Sequence, residues 1–146
     1  MNIKTIFMTV TGVLGSLISG LFGGWSAGMS TLLIFMIIDY ITGLMTAFIF
    51  HNSPKTQNGG LESRAGFKGL CRKGMILMII LVACRLDITL GTNYIRDAVA
   101  IAFIANESIS ILENAGLMGV PIPKALKKAI EILKSREEVR EDESMY

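Results

Sequence analysis

The chain has 146 residues, of which 51% are apolar and 18% charged, and it carries a net charge of +2. An average soluble domain has about 25% charged residues, whereas here two stretches, residues 29–50 and 74–83, are apolar nearly all round. Helices of that kind need a large protein core or a lipid solvent, and a chain this short cannot build such a core around several of them. The small charge, with no basic stretch interleaved with aromatics, excludes nucleic acid as a partner.

Crossing a hydrocarbon layer of about 30 Å takes about 20 helical residues, and four segments are candidates. The first, Thr5–Gly24, follows Lys4 and lacks a small-x-small cleavage site leading into a polar sequence. It therefore reads as a retained segment rather than a signal peptide. Gly12, Ser16, Gly20 and Gly24 recur every four residues along it, with Gly15, Ser19 and Gly23 in a parallel row. Rows of small residues let membrane helices approach closely, which predicts packing against another helix.

The second segment, Met29–Phe50, is the strongest candidate span. A third runs over about 72–91 and a fourth, the most polar, over about 95–117. The element Pro121-Ile122-Pro123 then stops one helix and can start another, because proline is tolerated in a first turn. Beyond it, Ala125, Leu126, Ala129, Ile130 and Leu133 fall at helical spacing among Lys124, Lys127, Lys128 and Lys134. That pattern predicts a basic amphipathic helix over 121–134 lying on an anionic membrane surface. Residues 135–146 are charged and poor in aromatics, the composition of a solvated tail.

The expected fold is thus all-α. A polytopic membrane domain occupies 1–120 with three to four transmembrane helices, followed by an amphipathic cytoplasmic helix and a charged tail. Of the 14 Lys and Arg residues, only Arg85 and Arg96 fall in the connection between the third and fourth segments. Lys4, five residues of the 51–73 loop and six of the C-terminal region fall on the other side. By the positive-inside rule both termini and that loop are expected in the cytoplasm, with Arg72, Lys73, Lys124, Lys127 and Lys128 as basic groups at the membrane surface. If the first segment does not cross, only the N-terminus changes side.

Asp39 and Glu107 sit near the middle of the second and fourth segments, where a charge costs about 2.5–3.5 kcal/mol or more on insertion scales. Counted along the expected spans, no Lys or Arg reaches that depth, since Arg72 and Lys73 mark an inner end. The carboxyls are then expected to be protonated or to face a wet interior, unless helix tilt brings a cation near. Ser110 and Asn114 follow Glu107 at spacings of three and four residues, so the three share a helix face, with Asn106 beside it. Two readings of this polar face stand open: a surface that lines a pore or joins subunits, and a hydrogen-bonded network that holds one bundle together.

No catalytic constellation is present: the chain lacks the metalloprotease, nucleophile-elbow and phosphate-loop patterns. His51 has no second ligand at metal-binding spacing. Cys71 and Cys84 would lie about 20 Å apart on one helix, too far for a disulfide. No enzyme activity, cofactor or metal is expected.

Four motifs, in order, carry a resemblance over residues 33–133. They are Asp39-Tyr40-Ile41-Thr42-Gly43, Ser63-x-x-Gly66-x-x-Gly69-x-x-Arg72-Lys73, Asn106-Glu107-x-x-Ser110-Ile111-x-x-Asn114, and Gly119-Val120-Pro121-Ile122-Pro123-Lys124. With this spacing the chain resembles the bacteriophage holin family, which includes holins of Bacillus and clostridial phages and clostridial toxin-secretion and lysis proteins. The resemblance implies a protein that accumulates in the bacterial cytoplasmic membrane and oligomerises abruptly into lesions. Such lesions release or activate an endolysin, or pass a large toxin, without necessary direct contact with either. The contrasting readings are a small ion channel or transporter subunit that uses Asp39 and Glu107, and a structural or regulatory membrane subunit.

Overall fold

The computed structural model describes residues 2–51, 54–60 and 62–144, and all regular structure among them is helical. Five helices follow in order: α1 (Ile3–Leu21), α2 (Ala27–Phe48), α3 (Ser63–Leu90), α4 (Ile95–Leu117) and α5 (Lys124–Ser144). Local chemistry sets most of their ends. α1 stops before Gly23 and Gly24, whose φ values of +72° and +92° lie in the left-handed region that only glycine enters freely. Ser26 caps α2, its Oγ accepting from the Met29 amide at 3.2 Å. Gly91 closes α3 in the left-handed conformation.

The cap of α4 comes from another helix. Asp87, in the last turn of α3, accepts from the Thr92 hydroxyl at 2.6 Å and from the amides of Ile95 and Arg96 at 3.0 and 2.8 Å. One carboxylate thereby satisfies two of the orphan N–H groups at the start of α4 and meets the positive end of its dipole.

α4 is the central helix, packed against α2, α3 and α5. Met29, Leu32, Met36, Ile76, Ile80, Ala100 and Ile104 form the apolar core, with Leu32 and Ile80 wholly buried. On the outside, Ile34, Ile37, Ile41, Met78 and Val82 are exposed, a larger apolar surface than water favours. Side-chain hydroxyls inside the helices bond back to the preceding turn, as Thr46 to the Thr42 carbonyl and Ser108 to the Ile104 carbonyl do. Such back-bonding gives each hydroxyl a partner inside the helix.

α1 stands apart, with no buried residue. The bundle holds it by its end: the Arg96 guanidinium donates from Nη1 to the carbonyls of Phe22, Gly23 and Gly24 at 2.7, 3.3 and 3.1 Å. A Cβ at Gly23 would lie 2.8 Å from Cys84 Sγ, so this junction also needs glycine for space.

Two expectations change and one is met in part. Among the described residues two helices, α1 and α2, are long, apolar and free enough of charge to cross a membrane by length and composition alone. α3 begins at Ser63, so the second half of the expected 51–73 loop is helical. α5 continues to Ser144 through the charged stretch expected to be a solvated tail, whose last two residues lie outside the described ones. It also doubles back along α4, where Ile130 is buried and Leu133 packs on the core.

Candidate functional site

Halfway along the bundle the core changes from apolar to charged. Lys73 on α3 donates from Nζ to Asp39 Oδ2 on α2 at 2.7 Å and to Glu107 Oε2 on α4 at 2.5 Å. The lysine side chain is 12% exposed and the two carboxylates less. Asn114 extends the network, its Nδ2 lying 3.2 Å from Asp39 Oδ1 and 3.0 Å from Thr42 Oγ1. One ammonium therefore ties three helices at one level, and an amide about two turns further along α4 fastens it to α2 again.

This geometry corrects the expectation that no cation reaches Asp39 and Glu107, and it removes Lys73 from the basic groups at the membrane surface. Because α3 starts at Ser63, Lys73 sits roughly three turns inside the helix. The counter-charge assigned to protons is instead supplied by an ammonium. Such pairing matters because a buried ion that loses its partner is strongly destabilising, at about 3–5 kcal/mol.

The triad forms the floor of a cavity of about 140 Å³. Tyr40, Gly66, Gly69 and Ser110 line its walls, and Lys55 and Thr56 of the 51–62 connection border it. Gly66 and Gly69 face Tyr40, where a Cβ would meet its hydroxyl and ring at the ordinary contact distances of 3.6 and 3.8 Å, and the Tyr40 hydroxyl faces the Gly66 carbonyl at 3.5 Å. Its lining combines the charged groups with Leu44, Ala47 and Ile76. The apolar core lies on the other side of the triad.

Of the polar residues singled out from the sequence, Asp39, Glu107, Ser110 and Asn114 converge on this site as their helical spacing predicts. Asn106 borders the cavity but is exposed. Arg72 also lines the cavity and is exposed. Lys124, Lys127 and Lys128 are exposed on α5, away from the triad. Among the described residues, no helix of the chain covers the row of Gly12, Ser16, Gly20 and Gly24: a Cβ on any of the three glycines would have open space around it.

Sequence reasoning placed Lys73 at the membrane surface and gave no site role to Thr42 or to the two end-capping residues Asp87 and Arg96. A signal for Lys73 was present. Ser63, Gly66, Gly69 and Arg72 recur every three residues, a helical spacing that places the start of α3 at Ser63 and Lys73 well inside it.

The bacteriophage holin family matches residues 16–135 of the chain. An uncharacterised 14.9 kDa protein of Clostridium perfringens is 40% identical over 125 residues, covering 84% of this chain and 89% of its own length. An uncharacterised protein of Halalkalibacterium halodurans is 40% identical over 131 residues, with 86% and 91% covered. A probable holin of Bacillus phage phi105 is 31% identical over 108 residues, with 73% and 74% covered. No solved structure matches. With most of its length matched, and with α2 to α4 assembled around the residues that carry the motifs, this chain belongs to the bacteriophage holin family.

Proposed function

We propose that the protein acts as a phage-type holin. It accumulates in the cytoplasmic membrane of a bacterial host, then self-associates into lesions that release or activate an endolysin, or that pass a large protein. The observation that carries this reading is the Lys73-centred triad at mid-bundle, in a chain of the holin family. A bundle joined by ion pairs at membrane depth is stable only while those pairs stay matched, because lipid offers no substitute partner. When helices separate, the same groups can face water or pair between copies, so one set of residues serves a closed state and a wet lesion.

In this reading three or four helices cross the bilayer, with charged groups inside α3 and α4 paired within the bundle. The 51–62 connection and the C-terminus face the cytoplasm, in line with the distribution of Lys and Arg. The triad tells against the ion-carrier alternative, since Asp39 and Glu107 already share an internal cation.

The test is inducible expression in a bacterium together with a muralytic enzyme that has no export signal. Turbidity is expected to hold steady and then collapse, with release of a cytoplasmic reporter. Continued growth while the protein accumulates in the membrane fraction overturns the reading. For orientation, a cysteine at Gln57 in a Cys71→Ser, Cys84→Ser background is expected to resist membrane-impermeant thiol reagents in intact spheroplasts until lesions form. Rapid labelling before then reverses the topology.

A further inference from the structure

α5 lies where an inserted α4 leaves no room for it. The helix doubles back from the Gly119–Pro123 turn along α4, and Lys134 borders a small cavity together with Ala102, Phe103, Ala105 and Ile109. Lys134 is ten residues into α5, about 15 Å from its start at 1.5 Å per residue, or half of a hydrocarbon layer of about 30 Å. The remaining residues to Ser144 continue the same helix. Twelve of its 21 residues are Lys, Arg, Asp or Glu, and each charge at membrane depth is costly. An α4 that crosses the bilayer and an α5 docked along it are therefore mutually exclusive.

We propose that α5 is an intramolecular cover for α4: docked, it shields the face made by Ala102, Phe103, Ala105 and Ile109 and keeps α4 out of the bilayer, and its release is a required step of α4 insertion. This rests on the reading of α4 as a span. Docking is held by few apolar side chains, chiefly Ile130 and Leu133, so the covered state is readily opened. The two halves of α5 differ in charge. Lys124, Lys127, Lys128 and Lys134 make the first half basic, whereas acids dominate from Glu137 to Glu143. An anionic bilayer attracts the first half and repels the second, which draws α5 from α4 to the membrane surface without carrying its end into lipid.

The experiment tethers the pair. In a full-length chain with Cys71→Ser and Cys84→Ser, cysteines at Ala102 and Lys134 are joined by a short bifunctional reagent with a cleavable disulfide. Trp25→Phe and Phe103→Trp leave one tryptophan, on α4. The protein is made cell-free, tethered, and added to anionic vesicles whose lipids carry brominated acyl chains. Tethered protein is expected to show little bromine quenching of the α4 tryptophan and no release of trapped dye, and cleavage of the tether is expected to restore quenching. Equal quenching before and after cleavage overturns the cover. A second variant needs no tether: Ile130→Glu with Leu133→Glu, which weakens docking, is expected to speed the rise of quenching, and a slower rise also overturns the proposal. Dye release is read separately. If cleavage restores quenching without leakage, the cover stands and the lesion-forming reading of the protein falls.

Discussion

The two halves of the bundle use the same three helices for opposite purposes. On one side of Lys73, Met29, Leu32 and Met36 of α2 meet Ile76 and Ile80 of α3 and Ala100 and Ile104 of α4 in a dry core. On the other side, Lys73 joins Asp39 to Glu107, Asn114 reaches Asp39 and Thr42, and the triad borders a cavity. Every helix changes character at the same level, although α3 runs opposite to α2 and α4. Apolar packing is non-directional and tolerates small slips, whereas the charged half fixes which atoms must meet. The dry half therefore supplies cohesion and a seal, and the polar half sets register and the conditions for opening.

The largest expected effect comes from breaking the polar half at its centre. Lys73→Met leaves two buried carboxylates without their cation, at a cost of about 3–5 kcal/mol. Loss of the protein from the membrane fraction and a lowered Tm in detergent are expected. The triple change Asp39→Asn, Lys73→Met, Glu107→Gln removes all three charges together and is expected to recover accumulation, as replaced buried ion pairs often do. If Lys73→Met alone accumulates and melts like the wild type, the triad does not organise the bundle.

A smaller effect is expected from single amides. Asp39→Asn or Glu107→Gln leaves Lys73 one carboxylate and one amide oxygen, keeping the contacts while changing their charge. A cost of about 0.5–1.5 kcal/mol each is expected, the scale of one hydrogen bond. Lysis timing in the inducible assay is expected to shift without loss of accumulation. An amide as damaging as Lys73→Met would mean that each carboxylate acts alone rather than as half of a shared pair.

The mildest prediction lies at the far end of the dry half. Asp87→Ala removes the acceptor of three hydrogen bonds at the α3–α4 junction. A modest fall in Tm is expected, with Asp87→Asn recovering part of it because the amide oxygen still accepts. A drop matching that of Lys73→Met would place register control at this corner rather than in the charged half.

Much of this arrangement is legible in the residues. Gly24, Ser26, Gly91 and the Gly119–Pro123 element mark helix boundaries through turn and cap chemistry that acts locally. The spacing of Glu107, Ser110 and Asn114 gives their common face by helix geometry alone. Lys73 is different. With Arg64, Lys68 and Arg72 it belongs to a run whose charges look like those of a loop, and its true depth depends on where α3 begins. The docking of α5 and the capping of α4 by Asp87 are tertiary facts. Their partners lie on other helices, and no local pattern announces them.

The junction at Arg96 has a consequence for exchangeability. Its guanidinium grips three main-chain oxygens of residues 22–24, atoms that every amino acid presents alike. Beyond Phe22, whose side chain packs on the core, the bundle thus recognises that a helix ends there rather than which side chains it bears. Apart from Phe22, which packs on the core, and the glycines at positions 23 and 24, α1 is a replaceable module, its sequence answerable to whatever surrounds it rather than to the chain it belongs to. A foreign apolar helix spliced in ahead of Phe22-Gly23-Gly24 would keep the grip that holds the native one.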